Sequence, residues 1–364
     1  MANKFIVPSV PVVGVGVSAR ATADLVRGPR YHVLWLKLLT HFPSGADVTL
    51  AKCLGDIILK INGRPQRTHS ATQLNRYNSL MGKEYAAKFA LASAPATMVG
   101  YFNGMGTAIA TPASSETVTT VTVGTPDTNT HEHRFGEEVA YGQVNSLHYA
   151  YLPIFFAEPW RKQYAATDRM ALPTSWPGGA GPIGTLQLEI TLGANSDTIP
   201  ALEIIQEVDY QQGFVDANGA PILELSKWNR LNHTYSGASE AFLTTLPRYE
   251  TYQQITLEAG QGSEGATHWD TITNCKMKIE GNQMRDTSKA LNDLSLIARG
   301  LNAAALAETP NIYDLVFDYD DVPSNALPMV YGGKQIQDFQ VIPTLAGGHG
   351  STLGISYQTF GPLS

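Results

Sequence analysis

IILKINGRPQRTHSATQLNRYNSLMG, residues 57–82, and CKMKIEGNQMRDTSKALNDLSLIARG, residues 275–300, carry one pattern twice. Lys60, Ile61, Gly63, Arg67 and Ser70 fall on Lys278, Ile279, Gly281, Arg285 and Ser288 at an offset of 218, and after a one-residue gap Leu74 and Asn75 fall on Leu291 and Asn292. Seven identities in some two dozen positions exceed the roughly one or two that chance gives. The physics of the two stretches agrees as well. Each opens on alternating apolar residues, Ile57, Leu59 and Ile61 or Cys275, Met277 and Ile279, which predicts a strand. Each then turns at Asn62-Gly63 or Glu280-Gly281, where glycine takes the positive φ of a tight turn. Each leads into a short helix. Ser70 and Gln73 have capping-box spacing, and Leu74, Tyr77 and Leu80 then line one face before Gly82. Leu291, Leu294 and Ile297 repeat that face before Gly300.

A second echo lies downstream, where Ala171-Leu172-Pro173 matches Ala326-Leu327-Pro328 at an offset of 155. After each comes a pair of strand-like stretches, 186–204 and 338–356. Both halves therefore run strand, turn, helix, further strands, Ala-Leu-Pro, two closing strands. The fall in offset means that the first half holds about 63 extra residues between Gly82 and Ala171. The stretch 104–145, rich in Thr, Ser and Gly, fits that insertion. Val118, Val121 and Val123 suggest a hairpin there, Gly124 to Thr130 a loop tip, and the whole an outward projection. Gly213, Asp216 to Gly219 and Pro221 make 211–248 a turn-rich connection, which puts the boundary near 210.

Repeated short strands with one helix per half predict an all-β chain of two tandem sandwiches. A jelly roll of eight strands suits the size of each half; periodicity does not separate it from another Greek-key sandwich. The expected domains are an arm over 1–30, a first sandwich over 31–210 with the 104–145 insertion, and a linker plus second sandwich over 211–364.

Composition sets the outer limits. Of 364 residues 43% are apolar, which excludes a disordered chain, and only 16% are charged, which suits surface hidden in an assembly. The 33 Gly and 21 Pro imply many turns. The net charge of −7 excludes general nucleic-acid binding by charge, and no sequence-specific binding is expected. Residues 1–40 nevertheless carry Lys4, Arg20, Arg27, Arg30 and Lys37 against Asp24, a balance of +4. Such a basic stretch invites an anionic partner or is simply a solvated terminus. Cys53 and Cys275 are too few for a disulfide scaffold, and both are expected buried in a reducing compartment. Phe5 to Val17 is apolar but broken by Pro8 and Pro11, too short to span a bilayer and a poor secretory signal; a soluble product is expected.

The residues of catalytic or binding chemistry do not assemble. Gly14-Val15-Gly16 lacks the third glycine and the helix of a dinucleotide loop. His131-Glu132-His133 offers two imidazoles without a partnering cluster. Asp314, Asp318, Asp320 and Asp321 are oxygen donors dense enough to consider for calcium between chains, but they lack EF-hand spacing; a solvated acidic strand end is the preferred reading. Glu137 with Glu138, or Glu203 with Glu207, are carboxylate pairs of the kind a glycosidase needs, although neighbours on a strand face opposite ways. Trp160, Trp176, Trp228 and Trp269 sit beside Pro or Gly or in strand-like sequence, as core and interface packing or as sugar-stacking platforms. No catalytic, cofactor or metal residue is assigned, and no enzyme is expected.

Residues 55–82, together with FFAEPWRK (155–162), ALPTSW (171–176) and TLQLEITL (185–192), resemble the double jelly-roll major capsid proteins, most closely those of tailless, membrane-containing icosahedral bacteriophages of the corticovirus type. The resemblance is specific over the first half and fainter over the second, where the internal repeat carries it. It implies a homotrimer whose six lobes tile a virion shell as a pseudo-hexagon. It also implies contacts with neighbouring capsomers and an amino-terminal arm against an internal membrane. The two helices are then expected at subunit contacts or the base. Arg67 and Arg285 would either bond repeatedly at those contacts or cap the local turn. A carbohydrate-binding or glycosidase sandwich, and a receptor-binding or minor vertex protein of the same virion, are the alternatives.

Overall fold

The computed structural model describes residues 4–7, 10–41, 48–49, 54–91, 98–100, 139–140, 147–161, 170–179, 181–193, 201–235, 246–259, 271–303, 306, 311–318, 326–346 and 352–363. It divides into two compact units, one running to Leu225 and taking in Pro362 and Leu363, the other spanning Ser226–Gly361.

The first unit holds β1 (Phe5–Val7), β2 (Arg20–Asp24), β3 (Arg30–His41), β4 (Val48–Thr49), β5 (Leu54–Ile61), β6 (Arg64–Ser70), helix α1 (Ala71–Met81), β7 (Lys88–Leu91), β8 (Met98–Gly100), β9 (Val139–Ala140), β10 (Leu147–Phe155), β11 (Leu172–Pro173), β12 (Leu186–Leu192) and β13 (Ala201–Asp209). One sheet has the order β1-β13-β3-β10-β7-β8, with β11 added to β3; the facing sheet has β6-β5-β12-β2. Alternation fills the space between them. Leu34, Leu36 and Leu38 of β3 point inward against Ile57, Leu59 and Ile61 of β5 and Leu188 and Ile190 of β12, all buried in one core.

The second unit holds β14 (Glu224–Thr234), which starts at its edge, β15 (Thr251–Ala259), β16 (Thr271–Ile279), β17 (Asn282–Ser288), helix α2 (Lys289–Ala298), β18 (Ile312–Val316), β19 (Leu327–Pro328), β20 (Val330–Tyr331), β21 (Lys334–Gln335), β22 (Phe339–Ala346) and β23 (Thr352–Pro362). One sheet runs β18-β15-β23-β14, with β19 on β15, and the other runs β17-β16-β22. Ile255, Leu257, Tyr313 and Ile355 meet Ile272, Cys275, Val341 and Leu345 in a second, separate core.

The pairing is nested in the same way in both. β3 pairs with β13 and β5 with β12; β15 pairs with β23 and β16 with β22, every pair antiparallel. Joining strands from the two ends of a segment inward is how a jelly roll is wound. The repeated turns are alike in detail. Asn62 and Gly63 have φ of 53° and 76°, Glu280 and Gly281 φ of 50° and 75°, a pair of left-handed residues suited to a twisted hairpin. Between turn and helix, however, each copy inserts a full strand, β6 or β17, where the sequence pattern suggests direct entry into the helix. Their residues, RPQRTHS and NQMRDTS, are polar and give no alternating signal.

The stretch 1–30, expected as an arm, is built into the first unit at two places. Phe5–Val7 pairs with Val208 to Gln206, and Arg20–Asp24 pairs with Thr191 to Gln187. Ala21, Ala23 and Leu25 are buried in the core, and Gly14, at φ 81°, lets the chain reverse between Val13 and Thr22. The turn-rich connection is also absorbed. The structural divide falls after Leu225, not near 210, because 213–225 packs on Trp176. Gly213 N–H donates to the Ser175 carbonyl at 2.8 Å, Trp176 Nε1–H donates to the Ile222 carbonyl at 3.3 Å, and Leu223 and Leu225 enter the first core. A Cβ on Gly213 would collide with the indole. Residues 104–138 and 141–145 of the expected insertion lie outside the described residues; Val139–Ala140 pairs with Val48–Thr49.

Candidate functional site

Helix α1 begins as its sequence predicts. Ser70 Oγ accepts from Gln73 N–H at 3.1 Å, while Gln73 Oε1 stays buried without a partner, so the capping box is half made. Leu74, Tyr77 and Leu80 are 4%, 6% and 0% exposed. Leu74 joins the first core, and Tyr77 meets the Trp160 ring edge-on at 5.5 Å, with Trp160 packed on Tyr85 and Phe155, each at 5.3 Å. Two asparagines anchor the other flank. Asn75 Oδ1 accepts from Ala87 N–H at 2.6 Å, and Asn78 Nδ2 donates to the Pro153 carbonyl at 3.0 Å.

Helix α2 is capped in the same way, Ser288 Oγ accepting from Leu291 N–H at 3.4 Å. Its buried asparagine, Asn292, sits at the position of Asn75, donating to the Asp314 carbonyl at 3.0 Å and accepting from Arg285 at 2.5 Å. The apolar stripe differs from that of α1. Leu291, Leu294 and Ile297 are 58%, 61% and 38% exposed, and the helix is held instead by Asn292 and Leu296. Equal spacing in the two copies thus hides opposite environments.

Arg67 and Arg285 both bond inside their own unit. Arg67 is buried, donates to the Phe155 carbonyl at 2.7 Å and lies 4.7 Å from the centre of the Phe156 ring. Burial pulls its guanidinium down to about 10, against the pull of Glu158, and it is charged at neutral pH. Arg285 is half-buried and fixes α2 through Asn292.

A buried ionic group lies where β3 meets β13. Arg30 reaches Asp209 in bidentate fashion, Nε to Oδ1 at 3.0 Å and Nη2 to Oδ2 at 2.6 Å. His32 Nε2–H donates to Asp209 Oδ2 at 2.6 Å, and Gln211 N–H donates to Oδ1 at 2.9 Å. Burial pushes the Asp209 carboxyl up, but these donors outweigh it and hold it at about 2. Burial lowers His32, more than its bond to Asp209 raises it, so the ring is neutral at pH 7 with Nδ1 enclosed and unpartnered. These residues lock the sheet rather than face a ligand.

The remaining candidates are not drawn together. Asp314, expected at a solvated strand end, is buried, and its Oδ1 accepts from Thr256 Oγ1 at 2.7 Å and Gln254 Nε2 at 3.2 Å. Asp318 is buried too, while Asp320, Asp321, His131, Glu132, His133, Glu137, Glu138, Trp269 and Cys53 lie outside the described residues. Among the described residues no three His, Cys, Asp or Glu side chains gather as a metal site requires. Glu203 pairs with Lys37 at 2.9 Å and Glu207 with Lys4 at 3.4 Å. Trp176 and Trp228 are buried and Trp160 lies in the aromatic cluster, which leaves none of the three as an open sugar platform. Cys275 is a buried free thiol that burial pushes up to about 12, as an inert core residue would be.

The repeat extends to residues that the first reading passes over. Tyr31 OH donates to the Val26 carbonyl at 2.6 Å and Tyr252 OH to the Pro247 carbonyl at 2.7 Å, each five residues back. Leu172 pairs with Tyr31 as Leu327 pairs with Tyr252, so the two Ala-Leu-Pro segments pin the same position.

No protein-family model matches the chain. No curated protein matches it either. Solved structures do match over its whole length. The major capsid protein P2 of bacteriophage PM2 aligns over 100% of this chain and 98% of its own with a TM-score of 0.62 at 15% identity. A chain from the atomic structure of Sulfolobus Turreted Icosahedral Virus covers 98% and 90%, with TM-score 0.61 and 12% identity. The PBCV-1 virus capsid gives 99% and 94%, 0.58 and 10%. With two sandwiches of one winding and full-length likeness to these chains, the protein has the double jelly-roll fold of viral major capsid proteins.

Proposed function

We propose that this chain is the major capsid protein of an icosahedral virus, forming homotrimeric, pseudo-hexagonal capsomers of the shell. The observation that carries the reading is the full-length match, both units in one chain, to capsid proteins of three viruses. Two like sandwiches per chain supply six similar lobes to a trimer, and a closed ring hides apolar surface that a sparsely charged chain would otherwise expose. The function is assembly, with no catalytic part; the place of action is the virion shell, after synthesis as a soluble protein. Negative-stain class averages of the purified protein test this. Three-fold particles with six lobes are expected. Two-lobed monomers at every concentration would sink the capsomer reading.

The finer part of the proposal is an internal membrane beneath the shell, met by the amino-terminal stretch. The structure tempers its charge. Lys4, Arg20, Arg30 and Lys37 face Glu207, Glu189, Asp209 and Glu203 of their own unit, and Arg27 is exposed beside exposed Val26. Flotation with anionic vesicles should therefore be weak, salt-sensitive and lost in Arg27→Ser. Undiminished flotation of that variant would move the contact elsewhere. Among the described residues no helix is long and apolar enough to cross a membrane.

A further inference from the structure

We propose that His32 is an acid-operated latch: protonation of its enclosed Nδ1 releases the amino-terminal strand β1 from the edge of the first unit's sheet. The inference stands on the fold and goes beyond the capsomer reading. Glu207 faces Val33 while the next residue, Val208, faces Tyr31, so His32 is the extra residue of a bulge in β3. Asp209 holds the ring at Nε2, and Nδ1 is buried with no partner among the described residues. From the β10 side the contact is backbone, Phe156 and Ala157 N–H both donating to the His32 carbonyl at 2.9 and 3.1 Å. An imidazolium here would bury an N–H without an acceptor. It would also set a second cation beside Arg30, with the carboxylate of Asp209 already shared between them.

Lys4 adds a further cation. The antiparallel register that sets Phe5 against Val208 puts Lys4 across from Asp209. Among the described residues, the charged groups acting on His32 are thus Arg30 from its own strand, Asp209 from β13 and Lys4 from the entry to β1, with Glu207 as the partner of Lys4. β11, paired with Tyr31 and Arg30, brings Leu172 and Pro173, neither of them titratable. Burial is the largest force against a charged ring; the bond to Asp209 opposes it, and Lys4 and Arg30 add to it. What gives way is set by the pairing. β3 runs along β13 from Ala201 to Asp209, whereas β1 spans Gln206 to Val208 at the sheet edge, with Phe5 and Ile6 exposed. Releasing β1 carries Lys4 away and loosens the end of β13 that holds Asp209 against the ring, so the open state takes the proton more readily. The latch is therefore shut above the ordinary 6.5 of histidine and opens as the pH falls below it, freeing Phe5, Ile6 and Val7 together.

The test is hydrogen exchange of the full chain at pH 7 and pH 5, read by mass spectrometry, with each rate taken relative to the intrinsic rate at its pH. Protection of the Phe5–Val7 amides should fall several-fold at the lower pH, by less than the roughly tenfold per pH unit that one proton allows, while β5 and β12 keep theirs. His32→Gln keeps an amide donor for Asp209 and takes no charge, so it should abolish the fall. Lys4→Gln, at an exposed side chain, should shrink it, because the closed state then resists the proton less. A wild type whose β1 is equally protected at both pH values overturns the proposal. So does a fall that survives unchanged in His32→Gln or, should that variant not fold, in Lys4→Gln. Equal loss of protection in β1, β5 and β12 would also overturn it, as acid unfolding of the whole unit.

Discussion

Helices α1 and α2 follow the same hairpin in two sandwiches of the same winding, and one buries its apolar stripe while the other shows it to solvent. What they share is local: a serine cap, a turn of two left-handed residues and a buried asparagine tied to backbone. What differs is the neighbour. Leu74 enters the first core and Tyr77 meets Trp160, whose ring packs on Tyr85 and Phe155, whereas Leu291 and Leu294 are exposed. The comparison separates two demands on one motif. Cap, turn and asparagine specify the fold in both units; the stripe is free to serve either a core or a contact. The ionic group of Arg30, His32 and Asp209 is placed differently in the second unit: the positions facing one another at this point are Thr251 and Phe360, and the buried pair there, Lys227 with Glu250, sits one residue earlier on β15's approach.

The largest expected effect breaks that last asymmetry. Arg30→Met leaves the Asp209 carboxylate buried without its main partner and should cost about 3–5 kcal/mol of stability in urea unfolding. Thr251→Ala, its positional counterpart, should stay near 0.5 kcal/mol, as substitutions away from core packing and buried charge do. The pH profile gives an independent check. Asp209 is held at about 2, below its ordinary 3.8, so its stabilisation is present above pH 4 and is lost as the pH falls toward 2. His32 is lowered from 6.5 because burial favours the neutral ring, so its loss begins as the pH falls below 6.5. Arg30→Met should flatten the steep part between pH 4 and 2; an unchanged slope there would remove Asp209 as its source.

The next effect sharpens the helix comparison. Leu80→Ala empties a fully buried site and should cost about 2–5 kcal/mol, whereas Leu294→Ala should change the unfolding of the dissociated chain by no more than about 0.5 kcal/mol. Equal costs would show that α2 is covered within its own chain.

The fold was readable from sequence wherever a local rule had one physical outcome. Asn62-Gly63 and Glu280-Gly281 are hairpin turns because their φ values demand it, and Ser70 and Ser288 are caps because a hydroxyl is needed there. The strands β6 and β17 were hidden because their side chains are polar and give no period of two. Which of the two stripes is buried was not legible, because spacing reports a face and not what covers it. The link between Arg30, His32 and Asp209 spans more than 170 residues, and no local pattern signals it. Pro-Arg-Tyr occurs at 29–31 and again at 247–249, at the same 218 offset as the main repeat. That identity would pair Tyr31 with Tyr249. The sheet register instead pairs it with Tyr252, three residues on, and leaves Tyr249 exposed.

The smallest effect tests that register. Tyr31 and Tyr252 are fully buried, burial raises both phenols well above their ordinary range, and each hydroxyl clamps a carbonyl five residues back at the entry to its strand. A tyrosine holding an upstream carbonyl in this manner is a recurrent lock on Greek-key corners. Tyr31→Phe and Tyr252→Phe each remove one such bond and keep the ring, so each should cost about 1 kcal/mol. The two residues share no hydrogen-bond partner, so the double variant should cost their sum. Tyr249→Phe, at the position that sequence identity favours, should be silent. If Tyr249→Phe proved costly and Tyr252→Phe silent, the sequence offset would be the true register, and the equivalence of the two Ala-Leu-Pro strands would fall with it. Equal, additive losses at 31 and 252 would place the same lock at the mouth of both sandwiches, independent of what either helix stripe meets.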